Sequence, residues 1–182
     1  MSGAAGAWRV WLSEKAQATI NEAAAAAHPC ETGGILVGVI GHAGGGSGRP
    51  WVTHAVEVRS RESGPTRYAL PGGAREPIVR ELRKTDLRLG YLGDWHSHPV
   101  NVDPSGTDVA AIASIAITGD CPRPVLFVVR RMNGCYEIDA RQWTGASLRR
   151  LQVRDAGPLE AALPTDRRAA TPKLGRSRGR RS

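Results

Sequence analysis

His96 and His98 stand one residue apart in the run Asp94-Trp95-His96-Ser97-His98-Pro99. On a strand, residues i and i+2 share a face, so two imidazoles can converge on one ion with little backbone distortion. A carboxylate, Asp108, follows in Pro104-Ser105-Gly106-Thr107-Asp108. Two histidines and a carboxylate, with a fourth position left for water, form the donor set of a catalytic zinc site. Far upstream, Glu31 opens Glu31-Thr32-Gly33-Gly34 and is a candidate proton shuttle. Such a glutamate can take a proton from the attacking water and pass it to the leaving amine. The chemistry indicated is hydrolysis.

Each of these residues also has a plainer use. A buried histidine is ordinarily a satisfied core residue. Ser105 and Asp108 have the spacing of a capping box, so both can serve a helix start alone. The two uses are compatible, because a helix start fixes where a carboxylate points and a ligand needs that fixing. Asp103 is a competing carboxylate, but it sits in mid-loop before Pro104 and ranks behind Asp108. Glu31 can be an edge acid at the start of a strand, with Gly33 and Gly34 allowing close approach of another backbone. Cys30 is either a fourth ligand of a closed site or, more simply, a buried inert thiol. His28, His42 and His54 lack partners at ligand spacing. Gly44-Gly45-Gly46 lacks the Gly-Lys-Ser/Thr of a phosphate loop, and no Ser-His-Asp or Cys-His nucleophile arrangement stands out.

These side chains must be positioned by regular elements. Trp8-Arg9-Val10-Trp11-Leu12 reads as a strand, and Ser13 as the N-cap of a helix over 14–27 that ends at His28-Pro29. The apolar run Ile35-Leu36-Val37-Gly38-Val39-Ile40 reads as a buried strand, hairpinned through a glycine-rich tip to a strand over 51–58. Residues 59–73 read as a loop. Apolar spacing predicts a helix over 75–89, with Pro77 in its first turn. The His pair then lies on a strand over 89–98, and Ser105 caps a helix over 106–117. Another hairpin follows over 125–143, and 148–153 reads as a short helical end. Trp95 alternates away from His96 and reads as core. The order implies an α/β domain with a mixed, mainly antiparallel sheet flanked by helices.

The 182 residues suit one domain with a real core, placed at 8–154, after a flexible 1–7 and before a basic tail at 155–182. Of the +8 net charge, +4 falls in that tail, from seven Lys/Arg and three Asp/Glu. A nucleic-acid contact is conceivable there; a solvated, disordered end is the plainer reading. Cys30, Cys121 and Cys135 form no Cys-x-x-Cys pair, which suits a reducing, cytoplasmic compartment. No apolar run suits a membrane span, and the N-terminus does not read as a signal peptide.

Taken together, Glu31, His96-Ser97-His98-Pro99 and Ser105-Gly106-Thr107-Asp108 resemble the JAMM motif of the JAMM/MPN zinc metallopeptidase family, in its bacterial, prokaryotic JAB form. Leu-Val-Gly after Glu31-x-Gly-Gly and Gly-Asp-Trp before the histidines add to the likeness, which spans residues 8–145. The resemblance implies a cytidine-deaminase-like JAB/MPN fold. It implies Zn²⁺ held by His96, His98 and Asp108, Glu31 as general acid/base, and Ser105 as an oxyanion donor. The activity it implies is cleavage of the peptide or isopeptide bond after a ubiquitin-like or sulfur-carrier protein. The alternative is a non-catalytic MPN-type scaffold, a class that has typically lost its ligands. One departure stands out: nine residues separate His98 from Asp108, one fewer than the family's usual spacing.

Overall fold

The structure, a computed structural model, describes residues 8–41 and 48–159. Its elements are β1 (Arg9–Leu12), α1 (Glu14–Ala27), β2 (Gly33–Gly41), β3 (Arg49–Glu57), α2 (Arg75–Arg83) and β4 (Gly90–His98). There follow α3 (Gly106–Thr118), β5 (Val125–Met132), β6 (Cys135–Trp143), β7 (Leu148–Arg150) and β8 (Gln152–Asp155). The strands form one mixed sheet in the order β7-β6-β5-β4-β2-β3-β1-β8. Beside β4, the pairing with β2 is antiparallel and that with β5 is parallel. Among the described residues, no helix is long and apolar enough to cross a membrane.

Helices cover both faces. Ala16, Ile20, Ala23 and Ala24 of α1 pack with Leu36, Trp95, Phe127 and Val129 on one face. Ile112 and Ile115 of α3 pack with Leu126 and Val128 on the other. There too, Ile35, Val37 and Val39 meet Ile78, Val79 and Leu82 of α2. Alternation along β4 and β5 therefore decides the site's location: Trp95 and Phe127 go to α1, whereas His96 pairs with Val128, which goes to α3. Trp95 is fully buried, as its alternation predicts. A register shift between Leu36 and Val37, opposite Tyr91–Gly93, lets Leu92 share the Trp95 core although it is an odd number of residues away.

Two expectations are corrected. The second helix ends at Arg83 rather than at 89. Beyond it, the Thr85 hydroxyl donates to the Leu82 carbonyl and Asp86 accepts from the Arg88 N–H, local bonds that compete with helical ones. Leu87 is left exposed, and Leu89 enters the core as the lead into β4. Residues 148–153 are not helical either. They form β7 and β8 because β6 and β1 each offer an unpaired edge there, and backbone pairing overrides weak apolar spacing.

That final run serves both ends of the sheet. Leu151, between β7 and β8, donates its N–H to Ala140 of β6, and the next N–H, of Gln152, goes to Trp8 before β1. The run thus ties the two ends of the sheet together beside the α1 core, into which Leu151 is buried. Pairing continues past 154, since Ala156 donates to Leu12, and Ala156 and Leu159 pack on the cluster of Ile35, Val37 and Val39. The glycine-rich tip at 42–47, the 1–7 segment and residues 160–182 lie outside the described residues.

Candidate metal centre

The register of β2 against β4 assembles the site. Gly33 pairs with His96 in an antiparallel ladder, so stepping two residues outward brings Glu31 level with His98. The Ser97 N–H donates to the Thr32 carbonyl at 2.7 Å, and the Thr32 N–H donates to Ser97 Oγ at 3.0 Å. Ser97 thereby fixes the Glu31-Thr32 segment from the residue between the two histidines. Gly33 is required here, since a Cβ would meet the Trp95 carbonyl and the Tyr68 ring; at Gly34 it would collide with the Val56 carbonyl.

The third donor comes from α3. Ser105 caps that helix in a full capping box. Asp108 Oδ2 accepts from the Ser105 N–H at 2.6 Å and from its hydroxyl at 2.8 Å, while the Asp108 N–H donates to Ser105 Oγ at 3.2 Å. Asp108 Oδ1 is left facing His96 Nε2 at 3.4 Å.

His96 Nε2 lies 3.1 Å from His98 Nε2, and His98 Nε2 lies 4.0 Å from Asp108 Oδ2. Two ligands held at about 2.0–2.1 Å on tetrahedral vertices stand about 3.3–3.4 Å apart. The observed separations suit one small cation with little movement. His98 Nδ1 lies 3.2 Å from the Val102 carbonyl. A proton on Nδ1 donated there leaves Nε2 bare, the second-sphere arrangement of a metal-binding histidine. The donors therefore fit zinc.

Electrostatics agree with a cation site. Burial pushes the His98 imidazole below its ordinary value, and neighbouring His96 adds to this, favouring the neutral ring. Burial would raise Asp108, but the hydrogen bond and charge of His96 and the Ser105 donors outweigh it and hold the carboxyl well below the usual range. Glu31 behaves in the opposite way. Burial pushes it up to about 7, with His96 opposing and Asp108 assisting. Glu31, Tyr68, His98, Val102, Ser105 and Asp108 all line one cleft of about 680 Å³.

A family profile describing prokaryotic homologs of the JAB domain matches residues 13–156. The chain belongs to the prokaryotic JAB family. The solution structure of protein DSY2949 from Desulfitobacterium hafniense has the same fold as this JAB domain. The two superpose with a TM-score of 0.64 at 19% identity, covering 83% of this chain and 95% of that one. A search of curated proteins finds no match.

All five residues singled out in the sequence are brought to one place in this JAB domain. His96, His98 and Asp108 form the donor cluster, and Glu31 and Ser105 line its cleft. Asp103 and Cys30 are not in the cluster. Cys30 is half-buried rather than buried. His28 lies against Arg131 and His54 against the Thr53 hydroxyl, while His42 falls outside the described residues. Sequence reasoning missed Ser97, whose place between the histidines was a usable signal. It also missed Tyr68 and the Val102 carbonyl, for which the chain carries no local signal.

Proposed function

We propose that this JAB domain is a zinc-dependent peptidase or isopeptidase that hydrolyses the amide bond after a ubiquitin-like or sulfur-carrier protein. The observation that carries the proposal is the convergence of His96, His98 and Asp108, the last two lining the same cleft as Glu31. When bound, Zn²⁺ would supply Lewis-acid polarisation of the water and the substrate carbonyl. The substrate class is the one that the resemblance to the JAMM/MPN metallopeptidases implies.

The chain's own residues do the rest. Glu31, which burial raises to about 7 in the metal-free chain and a bound cation would lower, can accept a proton from the water and return it to the leaving amine. His98 is held in one orientation by the Val102 carbonyl. Ser105 fixes Asp108 and lines the cleft, so its hydroxyl can serve a developing oxyanion once it turns from Asp108 Oδ2. The scaffold reading has the one-residue-short loop in its favour. That loop nevertheless delivers Asp108 Oδ1 to within 3.4 Å of His96 Nε2.

The test uses the purified full chain and a ubiquitin-like or sulfur-carrier protein extended past its C-terminus. The expected result is about one Zn²⁺ per chain and hydrolysis at the junction. Glu31→Gln should keep the metal and lose roughly 10²–10⁴-fold in kcat. A chain that takes up no zinc would favour the scaffold, and full activity in Glu31→Gln would remove the shuttle.

A further inference from the structure

The loop at 99–104 carries the shortened spacing and supplies the carbonyl on His98, yet it has little apolar anchorage. Val100 and Val102 are 57% and 48% exposed. Something else must hold the Val102 carbonyl in place. Its neighbour Asp103 accepts from Arg130 Nη1 at 3.3 Å and from Arg141 Nη2 at 3.2 Å, both at Oδ1. The Asp103 side chain is 74% exposed, but neither arginine is a free surface chain: theirs are 15% and 24% exposed. Both are held from behind by Asp139, whose side chain has no exposure. Its Oδ2 takes the Arg141 Nη2 at 2.9 Å and lies 3.7 Å from Arg130 Nη2. Arg150 Nε completes the group on Asp139 Oδ1 at 3.1 Å. Arg130 also pairs directly with His98 in the β4–β5 ladder.

We propose that Asp103, clamped between Arg130 and Arg141, is a positioning residue that holds the 99–104 loop so that the Val102 carbonyl keeps His98 Nε2 bare toward the metal. The proposal rests on the metal reading above for its consequence, but the clamp itself acts on the metal-free chain. A loop one residue short has less slack than a longer one. A single ionic tie beside the carbonyl is then enough to set it, provided that the tie is anchored to the sheet. Asp139 supplies that anchor from β6, through Arg130 of β5 and Arg141 of β6, whose guanidiniums meet the loop at Asp103. The network also explains why Asp103, a carboxylate nearer to the histidines in sequence, is not among the converging donors.

The experiment compares the full-length wild type with Asp103→Ala and Asp103→Asn. Zinc affinity is measured by competition with a chromophoric chelator. In the metal-free ¹⁵N-labelled chain, long-range proton–nitrogen correlations of the His98 ring report which nitrogen carries the proton. Asp103→Ala should weaken zinc binding by up to about 10-fold, the low end of what loss of a direct partner of a ligand costs, since the Val102 carbonyl itself remains, and convert His98 from the Nδ1-protonated form to a mixture. Asp103→Asn, which keeps one acceptor oxygen, should recover part of both. The metal-free thermal midpoint should match that of Glu76→Ala, an exposed acid on α2. Wild-type zinc affinity together with a wild-type His98 tautomer in Asp103→Ala would overturn the clamp. If the wild type binds no zinc, the metal reading fails separately, and the tautomer comparison still decides the clamp.

Discussion

Asp108 divides its two oxygens between two tasks. Oδ2 closes the capping box with Ser105, and Oδ1 faces His96. Substitutions should separate them. Asp108→Asn keeps a carbonyl oxygen for the cap but presents no charge, so zinc affinity should collapse while the thermal midpoint of the metal-free chain moves little. Ser105→Ala removes the N-cap and should cost about 1 kcal/mol of stability, with a smaller loss of zinc affinity; chelator competition and thermal melts measure both. Glu31 carries a pH signature. Its folded value, about 7, lies above the usual 4.5. Between those values the folded chain holds a proton that the unfolded chain has released. Stability of the metal-free chain from this group is therefore present below about 4.5 and is lost as pH rises to about 7. Glu31→Gln should raise the metal-free midpoint at pH 7.5 and change it little at pH 4. A bound cation pulls the same carboxyl down, so the acid limb of the kcat profile should lie at or below pH 7.

The elements turn these residue properties into a site through register. β2 must run close beside both β3 and β4 for Glu31 to come level with His98, and the glycines at its start permit this. Gly34→Ala would set a Cβ against the Val56 carbonyl, and the strand would have to shift. Overpacking of this kind costs about 1–3 kcal/mol, and here it also displaces Glu31. The expected outcome is a lower midpoint in denaturant and a fall in kcat larger than in zinc affinity, because the histidines lie on the other strand. The site was legible in the sequence because its chemistry is written in short runs. A His-x-His alternation, a capping spacing and a Glu-x-Gly-Gly start each constrain their own neighbourhood. What was not legible depends on distant chain. The end of α2 is set by side-chain bonds among Thr85, Asp86 and Arg88 that compete with apolar spacing. The strand character of 148–153 exists only because β6 and β1 present edges, and the fate of Asp103 was decided by arginines 27 and 38 residues away.

At the scale of the whole molecule, the two ends of the sheet are tied together by a segment late in the chain. Leu148–Arg150 lies on β6, Gln152–Asp155 lies on β1, and buried Leu151 joins them over the α1 core. Two cuts follow from this. A chain ending at 159 keeps every described element, and should match the full chain in thermal midpoint, zinc content and hydrolysis. A chain ending at 147 loses both covering strands and the Leu151 side chain. It exposes the β6 and β1 edges together, and should fail to give a cooperative melt or should aggregate. Charge separates the first cut from the full chain. Residues 160–182 hold seven Lys/Arg and two Asp/Glu, so removing them takes the net charge from +8 to +3. Whatever affinity the full chain has for DNA or RNA through that run must fall with salt, because each phosphate contact releases counterions. Titration of both chains with labelled single- and double-stranded oligonucleotides at two salt concentrations tests this directly. Salt-sensitive binding by the full chain and none by the 1–159 chain, at equal hydrolytic activity, would place nucleic-acid contact in the tail and separate it from the JAB site. Equal binding by both chains would assign it instead to the folded domain.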